Sequence, residues 1–184
     1  MELAIYSDIQ ELVDKSLKGD TRSFQVLYQT HVKAMFNTAL RILGNAADAE
    51  DIIQDAFLDA FKNLNKFSGQ STFGAWIKQI VIYKSINLLK KKKVPLVEIG
   101  NGALDLQEAH SEDPAWEALQ IESVRKAMQQ LPDGFRTVLS LYLFEGYDHE
   151  EIAGILGVAH TTVRTQYVRG KKKLLDLIRK GGVS

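Results

Sequence analysis

The stretch DHEEIAGILGVAHTTVRTQYVRGKKKLLDLI, residues 148–178, collects groups suited to gripping nucleic acid rather than to breaking bonds. Arginine and glutamine side chains make paired hydrogen bonds to base edges in a major groove, while lysines meet phosphates. Arg164, Thr165, Gln166, Arg169, Lys171, Lys172 and Lys173 supply that set. Small Ala153, turn-forming Gly157 and apolar Val163 have the spacing of a helix-turn-helix: close helix packing, a tight turn, then a buried anchor on the second helix. Asp148 and Glu151 have capping-box spacing at its start. The competing account is an amphipathic C-terminal helix with a solvated face, and the helix-turn-helix spacing favours DNA contact. One local feature fits less well. Ala159 stands where Ser or Thr would cap the second helix, a loss of about 1 kcal/mol unless Thr161 or Thr162 starts the helix later.

A second stretch, NKFSGQSTFGAWIKQIVIYKSINLLKKKK over residues 65–93, joins an aromatic-bearing loop with hydroxyls and amides to an apolar helix ending in four lysines. Phe73, Trp76, Ile77 and Ile80 recur at three and four residue intervals and read as core. Enzymatic chemistry finds little support. His31, His110, His149 and His160 are scattered, no nucleophile has a recognisable elbow or base pattern, and no Gly-rich phosphate loop is present. HEEIA lacks the second histidine of a zinc-protease helix, since Ala153 stands there. No metal and no cofactor is expected.

The elements that must position these groups are helices. From Thr21, Phe24, Leu27, Tyr28, Val32, Met35, Phe36, Ala39, Leu40 and Leu43 mark one apolar face, which Gly44 ends. Asn45 or Asp48 can cap the next helix, where Ile52, Ile53, Ala56, Phe57, Ala60, Phe61 and Leu64 form a stripe beside Asp51, Gln54, Asp55 and Asp59. Ser71 or Thr72 opens the lysine-ended helix, and a helix over roughly residues 3–17 completes a four-helix domain ending near Lys93. Residues 94–112 contain Pro95 and GNG, and the span Glu98 to Asp113 is acidic with no Lys or Arg, so this segment reads as a linker. Asp113 and Pro114 then open a second domain whose first helix presents Trp116, Leu119, Val124, Met128 and Leu131. Pro132 starts the next helix, Gly146 breaks it, and two short helices follow.

Composition agrees with two small domains. The 184 residues are 45% hydrophobic with a formal net charge of zero, yet Lys90 to Lys93 and Arg164 to Lys180 are basic. The chain has no cysteine, which excludes a disulfide framework and thiolate metal sites. No apolar run reaches membrane-span length, and MELAIYSDIQELVDKSLKGD mixes acids among its apolar residues, unlike a signal peptide. A cytoplasmic protein without membrane insertion is expected.

Over nearly its whole length the chain resembles bacterial sigma factors of the small, two-domain extracytoplasmic-function (ECF) group. LGNAADAEDIIQDAFLDAFKNLNKFSGQSTFGAWIKQI is similar to the family's N-terminal core, and LPDGFRTVLSLYLFEGYDHEEIAGILGVAHTTVRTQYVRGKKKL to its promoter-reading domain. The resemblance implies an all-α protein of two small helical domains joined by a flexible linker, the second with a helix-turn-helix. Residues 1–93 would bind core RNA polymerase and recognise and melt the minus-ten element. Residues 94–112 would be the acidic linker, and residues 113–184 would recognise the minus-thirty-five element.

It assigns Asp51, Gln54 and Asp55 to a coiled coil of the polymerase. It assigns the loop NKFSGQST to capture of an unstacked minus-ten base, with Phe67 stacking or shaping a pocket and Ser68, Gln70 and Ser71 bonding base edges. Asn87 falls where the family commonly has Asn or Asp, and Tyr83 departs from a frequent Asn. The resemblance also makes Arg164, Thr165 and Arg169 readers of the minus-thirty-five element, with Gln166, Lys171 and Lys172 beside them. Gln166 often has a basic counterpart, and Gly170 replaces a frequent Ala. The implied partners are core RNA polymerase, promoter DNA and an anti-sigma factor. An autonomous helix-turn-helix regulator of duplex DNA is the alternative; it would need a sensing or dimerisation module in place of the first domain.

Overall fold

The computed structural model describes residues 2–92 and 121–181, with side chains from residue 9 onward. The chain divides between Lys93 and Val94 into two compact units. The linker 94–112, the Asp113–Pro114 cap, Trp116 and Leu119 lie outside the described residues.

The N-terminal unit holds α1 (Glu2–Leu17), α2 (Thr21–Leu43), α3 (Ala46–Lys62) and α4 (Phe73–Lys91), with one 3-10 turn at Leu64–Lys66. Each boundary has a local cause. Asp20 caps α2 by accepting from the Arg22 N–H at 3.1 Å and from the Ser23 hydroxyl at 2.5 Å. Gly44 ends α2 at φ 68°, in the left-handed region where a Cβ is disfavoured, and its N–H reaches the Leu40 carbonyl at 2.8 Å. Of the two candidate caps for α3, Asn45 accepts from the Asp48 N–H at 3.0 Å; of those for α4, Thr72 accepts from the Ala75 N–H at 3.0 Å.

Packing follows the apolar spacing. Leu27, Met35, Ala39, Ile42 and Leu43 of α2 are buried with Ile52, Ile53, Ala56, Phe57 and Ala60 of α3 and Phe73, Ile77, Val81, Ile82, Ile86 and Leu89 of α4. Among the residues read as core, Phe61 is 42% exposed, while Ile80 and Trp76 are half-buried, Trp76 at the end of α4 next to the loop. Lys84 Nζ meets Asp59 Oδ2 at 2.5 Å and Lys92 Nζ meets Asp48 Oδ2 at 2.6 Å, tying α3 to α4 at two points.

The C-terminal unit holds α5 (Ile121–Gln130), α6 (Asp133–Leu143), α7 (His149–Leu156) and α8 (His160–Gly181). Ala127, Met128, Leu131, Leu139, Leu174 and Ile178 form its core, with Val124, Tyr167 and Leu177 packed against it. α6 is buried on every face from Gly134 to Leu141. Arg136 is tolerated there because it donates to the Leu131 carbonyl at 2.9 Å and pairs with Asp133. Instead of two short helices after Gly146, α7 is short and α8 runs 22 residues. Gly170 does not break α8. A Cβ there would meet Phe135 Cβ at 3.2 Å and Leu139 Cδ1 at 3.3 Å, so the glycine brings the backbones of α6 and α8 close together.

Candidate nucleic-acid interface

In the helix-turn-helix, Asp148 accepts from the Glu150 and Glu151 N–H groups at 2.8 Å, and Glu151 accepts from the Asp148 N–H at 2.8 Å, a complete capping box. Gly157 then turns the chain at φ 71°. α8 begins at His160, with Thr162 and Val163 N–H groups bonded to the Ala159 carbonyl at 3.0 and 3.2 Å. The later start at Thr161 or Thr162 does not occur, and Ala159 occupies the cap position.

Buried Val163, Gln166, Gly170, Leu174 and Ile178 mark the inner face of α8. That phase corrects one expectation. Gln166 is 3% exposed, and neither amide atom has a hydrogen-bond partner, so it points into the unit instead of offering its amide to DNA. Arg164, Thr165, Arg169 and Lys171 are half-buried, and Lys172 is exposed. The Thr165 hydroxyl donates to the Thr161 carbonyl at 2.9 Å. His160 and Thr161 are also exposed, and Val168 is 41% exposed one turn beyond Arg164. Val168 was missed because an apolar residue in an apolar stripe reads as core; its offset from Val163 and Gln166 is the available signal.

The scattered histidines are partly gathered. His149 stacks on Tyr142 at 4.8 Å between ring centroids, lies 5.0 Å from Tyr167 and meets His160 edge-on at 6.1 Å. Its Nε2 is buried without a partner. Burial lowers the pKa of His149 below the ordinary value of 6.5, with His160 and Arg164 adding to the shift and Asp148 opposing it. Among the described residues no group of three or more His, Cys, Asp or Glu could hold a metal ion.

In the N-terminal unit, Ser68, Gln70 and Ser71 are exposed on a loop that turns at Gly69, φ 71°. Phe67 is half-buried, 5.4 Å from Trp76 and 6.1 Å from Phe73. From this loop an exposed stripe runs along α4 through Ala75, Gln79, Tyr83, Asn87 and Lys90, about 22 Å at 1.5 Å per residue. Tyr83 is 50% exposed. Gln79 was missed, although it lies one turn before Tyr83. Lys90 and Lys91 are exposed, whereas Lys92 is engaged by Asp48.

Asp51, Gln54 and Asp55 are all exposed on α3. Gln54 also lines an open, apolar groove of about 440 Å³ with Phe24, Tyr28, Phe57, Leu58 and Phe61. Phe24 and Phe61 rings pack at 4.7 Å across it, and Tyr28 meets Phe57 edge-on at 4.8 Å. The groove escaped the sequence because Phe61 continues the apolar stripe, although Leu58, standing among Gln54, Asp55 and Asp59, breaks the polar face.

Residues 27–94 match the family model for Sigma-70 region 2, and residues 121–174 that for Sigma-70, region 4. RNA polymerase sigma-H factor of Pseudomonas aeruginosa is 30% identical over 175 residues, covering 90% of this chain and 91% of its own. ECF RNA polymerase sigma factor SigW of Bacillus subtilis is 27% identical over 181 residues, covering 93% and 97%. The chain belongs to the ECF sigma factors of the sigma-70 family. The sigma factor is thus a transcription-initiation subunit, not an enzyme, and as such binds core RNA polymerase and DNA. Its region 2 match contains α3, the loop and α4; its region 4 match contains the helix-turn-helix. Membership decides against the autonomous regulator. The fold also resembles that of the sigma factor RpoE solved with the anti-sigma factor NepR from Bartonella quintana, at TM-score 0.55 and 21% identity, covering 86% of this chain and 98% of that one. Among the described residues no helix is long and apolar enough to cross a membrane.

Proposed function

We propose that the two units divide promoter recognition between them: residues 1–93 engage polymerase and the minus-ten element, and residues 113–184 read the minus-thirty-five element. Residues 94–112 act as the tether. The observation that carries this reading is the exposed stripe that joins the 67–72 loop to Gln79, Tyr83 and Asn87 on α4. An opened strand needs such a platform, with polar groups at one end for a base that has left the stack, a ring for stacking, and Lys90 and Lys91 for phosphates at the other. Ser68, Gln70 and Ser71 bond the captured base, while Phe67 shapes the seat beneath it. Asp51, Gln54 and Asp55 contact the polymerase. Arg164, Thr165 and Arg169 read bases, and Lys171 and Lys172 neutralise phosphates.

The sigma factor works in the cytoplasm, where its polymerase is, and is held inactive by an anti-sigma factor; the complex of RpoE with NepR supports this by likeness of fold. The test is promoter-dependent transcription by purified core polymerase with and without the protein, on DNA selected from a random promoter library, with permanganate footprinting of opened thymines. Alanine at Gln54, Tyr83 and Arg164 should separately weaken core binding, strand capture and duplex reading. Joint loss of all three activities in each variant would overturn the division of labour.

A further inference from the structure

The loop that offers Ser68, Gln70 and Ser71 is seated on rings. Phe67 at its start packs on Trp76 at 5.4 Å and on Phe73 at 6.1 Å, and Phe73 immediately follows its end. Behind Phe73 stands His31 of α2, edge-on at 5.3 Å. The His31 ring is fixed from two sides. Its Nδ1 lies 2.8 Å from the Leu27 carbonyl, which only accepts, so the proton sits on Nδ1. It meets Phe73, which is buried, edge-on. Next in the chain is Gly74, where a Cβ would lie 3.1 Å from both Cδ2 and Nε2 of His31.

We propose that His31 is a positioning residue for the 67–72 loop, and that residue 74 must be glycine while the His31 ring fills the space a Cβ would take. The proposal rests on the strand-capture reading given above. A methyl group at 74 would normally favour a helix over glycine. Here the pinned ring does not yield, so the first turn of α4 moves instead. That turn carries the Thr72 cap and Phe73, and through Phe73 and Trp76 the displacement reaches Phe67 and the polar groups of the loop.

The test is a double-mutant cycle in assembled holoenzyme: Gly74→Ala, His31→Asn and both together, with His31→Ala carried in parallel. Asn keeps a donor for Leu27 but withdraws the ring. The readouts are permanganate reactivity of promoter thymines at saturating holoenzyme and core affinity by competition. Gly74→Ala should reduce opening about threefold to tenfold, toward the low end for coupled neighbours, with core affinity unchanged. In either His31 background the same change should cause no loss. Equal loss in all backgrounds, no loss in any, or a loss of opening matched by loss of core affinity would each overturn the proposal. A wild-type holoenzyme that leaves promoter thymines unreactive would instead remove the strand-capture reading, and the proposal with it.

Discussion

An exposed tyrosine at 83 presents a flat ring and one hydroxyl, where asparagine would present an amide with two donors and an acceptor. Stacking holds any base, because every base has a π-face, and contributes about 1–3 kcal/mol per base. Tyr83→Asn should therefore weaken opened complexes by about tenfold and narrow the choice of minus-ten sequence, read by sequencing opened DNA from a library randomised at that element. An unchanged preference would mean that the ring does not face the strand. Gln166 makes the opposite case. Its amide is buried with no partner, so Gln166→Leu should raise the stability of the C-terminal unit by about 1 kcal/mol or more, measured as a shift in melting temperature, while leaving minus-thirty-five binding intact. Arg164→Ala should instead cost about 1–3 kcal/mol of promoter affinity and relax preference at one position. The two residues look alike as base readers in sequence because chemistry, not helical phase, recommends them; position relative to Val163 and Gly170 separates them.

At the scale of the element, the start of α8 is the weak point of the helix-turn-helix. α7 has its full capping box, whereas α8 opens on Ala159, which has no side chain to receive an N–H. Ala159→Ser should stabilise the unit by about 1 kcal/mol, a gain visible in thermal unfolding. No gain would mean that a serine at 159 does not reach the N–H groups of the first turn. The helices themselves were legible in sequence because they carry apolar faces of period 3.6 and several ends carry Asp, Asn, Thr or Gly with a specific backbone task. Legibility fails where a residue obeys the period but not the burial. Phe61 continues the stripe of α3 yet stands at the rim of the groove, where Phe24 of α2 packs on it. Trp76 continues the stripe of α4 yet lies near its start, where Phe67 of the loop packs on it. The role of Gly170 was not legible for a related reason: its use in letting α6 approach depends on a neighbour thirty or more residues away in sequence.

Across the whole molecule, two units with separate cores should fail separately, and pH offers a way to make them do so. His149 sits among Tyr142 of α6, its own neighbour Asp148 at the start of α7, and His160, Arg164 and Tyr167 of α8. Its pKa is lower folded than unfolded, chiefly through burial, so below pH 6.5 the unfolded chain takes up a proton that the folded unit refuses. Stability of the C-terminal unit is therefore complete above pH 6.5 and falls as the pH drops from there to the folded pKa, by up to about 1.4 kcal/mol per pH unit. The N-terminal unit responds in the same direction but only at lower pH. Asp20 is held below its ordinary pKa of 3.8 by the Ser23 hydroxyl and Asp59 by Lys84, so their contribution is present above that value and is lost only as the pH falls through the lowered folded values. Calorimetric scans from pH 7.5 to 5 should show two transitions, with only one moving to lower temperature. The moving transition should be the one that Ala159→Ser raises, and His149→Phe, which keeps a ring but no titrating nitrogen, should flatten its pH dependence. If both transitions move together, or His149→Phe leaves the slope unchanged, another group carries the acid response.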